Sequence, residues 1–119
     1  MLPRRLTKMK RIYVEPFHEN HEGFREKVIA ALRRWPRVAL MNSPQQADAV
    51  LDGASRRVTD GVAGVLRIRD RESEHEFWSR VVVCRDHTDD RPPEVQLVEQ
   101  LRYDVEAIEH PTPQQREME

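Results

Sequence analysis

The pair Asp60-Gly61 stands between two extended runs, Val50 to Val58 and Val62 to Arg69. A two-residue junction of this composition reads as a type I′ hairpin, because that turn needs positive φ at both central positions. A third run, Glu76 to Cys84, is rich in valine and aromatics and follows the polar turn Asp70-Arg-Glu-Ser73. Three antiparallel strands are therefore expected in succession. Leu66 and Ile68 mark one face of the middle strand, and Arg67 and Arg69 point the opposite way, to water.

The segments upstream supply further strands and one helix. Ile12 and Val14 alternate with Tyr13 and Glu15, which predicts a strand that Pro16 ends. Phe24, Val28, Ala31, Leu32 and Trp35 form a single apolar stripe at helical spacing, with Asn20 as N-cap and Pro36 as the stop. Val38 to Met41 is a short strand. Ser43-Pro-Gln-Gln46 reads as a capping box opening a helix of one or two turns. Downstream, Leu97, Leu101, Val105 and Ile108 predict a second long helix, opened by prolines after Asp89 or Asp90 as N-cap and ending near His110-Pro111.

The order β-α-β-(short α)-β-β-β-α predicts an α+β fold. It is a two-layer α/β sandwich in which two long helices cover one face of a mixed sheet and the other face meets solvent. The 119 residues make one domain, over 11–110, between a basic flexible arm at 1–10 and a mobile tail at 111–119. Met1 to Arg11 carries five basic residues and no acid. The stretch Ile12 to Cys84 carries eleven of each. Arg85 to Glu119 carries four basic and ten acidic residues, so +5, 0 and −6 sum to the net charge of −1. A basic arm and an acidic tail on a neutral body read first as solvated flanks.

Little in the chain points to catalysis. Cys84, the single cysteine, excludes an internal disulfide and a cysteine-based zinc site, and a packed strand-end thiol is its simplest role. His18 and His21, with Glu19 and Glu22, are the tightest ligand-type cluster, but two histidines before a helix fall short of a tetrahedral site. No cofactor is expected, and the chain reads as a non-enzyme. No apolar run is long enough to span a membrane.

Ile12-Tyr-Val-Glu-Pro-Phe17 with Asn20, a helix, Val38 to Ser43, and then Gln46-Ala-Asp-Ala-Val-Leu-Asp-Gly53 together resemble the small α/β domain of bacterial envelope assembly proteins. The lipopolysaccharide-assembly lipoprotein LptE, the amino-terminal domain of TolB and the CsgG-type lipoproteins share this style. Glu76-Phe-Trp-Ser79 is similar to the strand that follows the polar turn in such domains. The resemblance spans about residues 11 to 84. It implies a non-enzymatic binding or assembly module of the cell envelope, acting through protein or glycolipid contacts. The chain departs from the pattern in lacking an amino-terminal lipobox cysteine, which leaves two locations open: the periplasm or outer-membrane periphery if a leader was removed, and the cytoplasm otherwise.

Two surfaces are candidates for a partner protein: the open sheet face, with Arg67, Arg69, Trp78 and Arg80 as contacts, and an exposed edge strand that accepts another strand. The same arginines and aromatics fit a nucleic-acid-binding sheet, but the neutral body and the acids on the same strands favour a salt-bridged face instead. The third alternative is a globular domain with no activity of its own.

Overall fold

A computed structural model describes residues 3–88 and 90–110. Among them five strands form one mixed sheet: β1 (Arg11–Val14), β2 (Ala39–Met41), β3 (Ala49–Val58), β4 (Gly61–Asp70) and β5 (Glu76–Arg85), in the spatial order β2-β1-β3-β4-β5. β1 pairs in parallel with β2 and β3, and β3, β4 and β5 form the expected antiparallel meander. The helices α1 (Phe24–Arg33) and α2 (Pro93–Glu109) lie on one face of the sheet and pack on each other. The α+β fold and its order of elements follow the sequence reading.

The alternation of β3 and β4 explains the layering. Ala49, Leu51, Leu66 and Ile68 are buried beneath the helices, where they meet Phe24, Val28, Leu32, Leu97, Leu101 and Val105 in one core. Ile12 and Val14 bring β1 into the same core. Gly53 sits where β3 crosses under Leu66; a methyl group there would overlap the Val65 carbonyl oxygen, so glycine is required by close approach.

Several local expectations are corrected. The β3–β4 turn is centred on Thr59-Asp60, since Val58 pairs with Gly61, and of these residues only Asp60 has positive φ, at 59°. The type I′ geometry on Asp60-Gly61 is therefore not formed; Gly61 lies inside the strand, where a side chain would strike the Cys84 carbonyl. The short helix after Ser43 is a single 3₁₀ turn, Pro44–Gln46, with no side-chain cap bond. The first long helix starts at Phe24 behind Gly23, whose φ of 71° favours glycine, while Asn20 Oδ1 accepts the Arg25 N–H at 2.7 Å from further back. Asp90 accepts the Arg85 N–H and does not cap α2, which opens on Pro92; Asp89 and the tail 111–119 lie outside the described residues.

The amino-terminal arm departs most from expectation. Residues 4–8 form a 3₁₀ helix, and Leu6 and Met9 are 0% and 2% exposed in the main core. The segment read as a basic flexible arm is thus docked over 3–10: two apolar side chains three residues apart anchor it, and its charges face out. Arg5 pairs with Asp70 and Arg11 with Asp48.

Candidate interaction surface

The uncovered sheet face is built by every second residue of three long strands. From β3 it takes Asp52, Ala54 and Arg56; from β4, Ala63, Val65, Arg67 and Arg69; from β5, Glu76, Ser79, Val81 and Val83. These stand in cross-strand register, so they share a face that carries no helix. Val50 is the buried member of this side, flanked in register by Tyr13 and Arg69.

Charge and apolar surface segregate on it. At the β1 end Arg69 holds Glu15 through two contacts of 2.9 Å and reaches Asp52 at 3.1 Å. Arg67 meets Asp52 at 3.3 Å and Glu76 at 3.9 Å. The Arg69 hydrogen bond holds the Glu15 carboxyl below its ordinary pKa, and Glu15 in return raises that of Arg69. Arg67 and Arg69 do lie on the open face, but as members of a salt-bridged network of two cations and three carboxylates. Towards the β3–β4 hairpin the face becomes apolar. Ala54, Ala63, Val65 and Val81 floor a shallow hollow of about 320 Å³ rimmed by Glu19, Arg56 and Arg67. Val81 is 71% exposed and Val83 54%.

Trp78 and Arg80 do not belong to this surface. Register pairs Trp78 with Ile68 and Arg80 with Leu66, so both side chains turn to the helical side. Trp78 is 5% exposed, and its indole N–H donates to Asp104 Oδ2 of α2 at 2.9 Å. Arg80 reaches the same oxygen at 3.1 Å from the rim. Alternation with Val82 and Arg80 already turns Trp78 inward; the register shift at Ile68/Arg69 acts on the next residue, since Glu76 pairs with Arg69 there and Phe77 packs inward with the core. The sequence hides this phase because Val81-Val82-Val83 carries no polar marker in either period. Asp104 leaves a single signal in the sequence, an acid set into the apolar stripe of α2 beside Leu101 and Val105.

The other candidates are structural in their settings. His18 is exposed. His21 gives its backbone N–H to Ser55 Oγ at 3.0 Å, and its Nε2 lies 3.8 Å from Glu22. No group of three or more histidine, cysteine or acidic residues is placed to hold a metal among the described residues. Cys84 is buried; its thiol donates to the Arg91 carbonyl at 3.2 Å, and burial, followed by Asp90 and Glu94, pushes its pKa up, away from nucleophilic use. No helix among the described residues is long and apolar enough to cross a membrane.

No known protein family matches the chain, and no curated protein matches it either. Solved structures do share the fold. TolB from Acinetobacter baumannii superposes with a TM-score of 0.53 at 16% identity, covering 85% of this chain but only 27% of TolB. A PelC dodecamer from Paraburkholderia phytofirmans gives 0.54 at 15% identity, with 87% and 91% covered. The lipoprotein GNA1162 from Neisseria meningitidis gives 0.54 at 16% identity, with 85% and 97% covered.

Proposed function

We propose that this chain is a non-enzymatic binding or assembly module of the bacterial cell envelope that works through protein contacts. The observation that carries the reading is the open sheet face: a shallow apolar hollow over Ala54, Ala63, Val65 and Val81 beside a salt-bridged ion network. A hollow of small residues accepts an apolar side chain of a partner, and salt-bridged charges at its rim set orientation more than affinity. With Arg67 and Arg69 already bound to carboxylates, the face suits a protein better than a phosphate backbone.

The envelope setting is supported by fold: the chain spans nearly the whole of PelC and of a protein described as a lipoprotein. A place in the periplasm or at the outer-membrane periphery, and the narrower likeness to LptE, the TolB amino-terminal domain and CsgG-type proteins, belong to the same proposal. A photo-crosslinking residue at Ala63, in the producing bacterium, tests it. The expected result is one adduct to a defined envelope protein from Ala63 and none from Lys27 on the helical face. Absence of an adduct from Ala63, or equal labelling from both sites, overturns the reading.

A further inference from the structure

The two edges of the sheet differ. β2 is three residues long, which limits pairing at that side. β5 is ten residues long, contains no proline, and ends the sheet at the other side. Every second residue of an edge strand turns its N–H and C=O away from the sheet. At the ends of β5 the approach is already occupied. Arg5 lies over the Phe77 ring at 6.0 Å, and Asp90 accepts the outward N–H of Arg85 at 3.1 Å. That second contact shows which residues face outward: Arg85, and by alternation Val83, Val81 and Ser79. The unguarded centre is therefore Ser79 to Val83, and it is also where the valines are most exposed.

The geometry points to a second copy of this chain as the occupant of that edge, paired antiparallel through β5 with Val82 on the two-fold axis. This inference does not depend on the proposed envelope role.

The centre of β5 is nearly symmetric about Val82. In this register Val81 of one copy stands opposite Val83 of the other, twice, so four exposed valine side chains meet on the open face. Their outward N–H and C=O groups form backbone hydrogen bonds across the axis. The charges agree with the same register. Arg85 falls level with Ser79, where Asp90 already holds the Arg85 N–H and the backbone ladder stops. On the open face the next position along from Ser79 is Glu76, because Ser79 pairs with Arg67 and Glu76 with Arg69. Arg85 of each copy is thus the diagonal neighbour of Glu76 of the other, about 7–8 Å away between Cα atoms and within reach of two long side chains. No like charges stand opposite one another: Arg80 faces Cys84. Helices of both copies remain on one side, and the two open faces join into a continuous surface.

The full chain at about 100 μM, above the micromolar range of weak dimers, should sediment as a dimer. Val83→Lys should weaken association at least about tenfold while leaving the circular dichroism and Tm unchanged, since Val83 faces solvent. Arg85→Glu should weaken it as well, and Glu76→Arg in the same chain should restore it. In a Cys84→Ser background, Val82→Cys should form an intermolecular disulfide under mild oxidation, and Ser79→Cys should not. A chain that stays monomeric at this concentration overturns the inference and leaves the edge to a strand of a different protein. A dimer indifferent to Val83→Lys, or crosslinked through Ser79→Cys rather than Val82→Cys, overturns the interface.

Discussion

Trp78 and Asp104 join the edge of the sheet to α2: the indole N–H of one donates to a carboxylate oxygen of the other at 2.9 Å, with both residues buried. Gln100 donates to the second oxygen at 2.8 Å, and Arg80 adds its charge at 3.1 Å. A side chain that is 2% exposed needs such partners for both of its oxygens. Asp104→Ala leaves the indole N–H without an acceptor and opens a void, which should cost about 2–4 kcal/mol. Urea unfolding followed by the fluorescence of Trp35 and Trp78 measures it. Arg80→Met, at a half-exposed position, should cost less than about 1 kcal/mol.

Docking of the amino-terminal segment is tested through Leu6. It is fully buried although its neighbours Arg4 and Arg5 are exposed. Leu6→Ala should destabilise by about 2–4 kcal/mol. A flexible arm would give no change in the urea midpoint.

Asp70 supplies a pH signature. Its side chain accepts the Ser73 N–H at 2.9 Å and pairs with Arg5. The Ser73 amide first, then the Arg5 guanidinium, hold its pKa down to about 2. A carboxyl with a depressed folded-state pKa contributes stability above its unfolded value of about 4, and that contribution disappears as pH falls towards 2. The stability gap between the wild type and Asp70→Asn should therefore be constant from neutral pH down to about pH 5 and shrink between about pH 4 and pH 2. Denaturant midpoints measured across this range decide it; a gap that widens towards pH 2 rejects the assignment.

Gly64 lies directly under side chains of both helices, Phe24 of α1 and Pro93 of α2. A Cβ there would lie 3.1 Å from Pro93 Cβ and 3.2 Å from the Phe24 ring. Gly64→Val should push α2 away and cost about 1–3 kcal/mol, visible as a lowered Tm. Gly64→Ala should fall at the lower end of that range.

The sheet face can be separated from the fold in the same way. Arg67→Met should change stability by less than about 1 kcal/mol, because its side chain is half exposed and its contacts are long. Arg69→Met should cost more, leaving Glu15 and Asp52 facing each other without a cation. Its titration signature is a rise in the Glu15 pKa towards the ordinary carboxylate value, read by NMR.

Local sequence determined the elements. The stripes of α1 and α2, the alternation of β1 and β4, and the polar turns place apolar side chains by period alone, and period is a property of neighbours in the chain. The layer order followed too, because two striped helices and one long meander can bury their apolar faces in few ways. What only the tertiary structure decided was phase and partnership. A run of three valines cannot say which of its members faces the core, and only register with Leu66 and Ile68 turns Trp78 and Arg80 to the helical side. The docking of Leu6, the acceptor role of Asp104 and the pairing of Arg69 with Glu15 each join residues 24 or more positions apart or rest on burial by distant elements. Such contacts leave no periodic trace; the energy that selects them exists only once the sheet and helices have met.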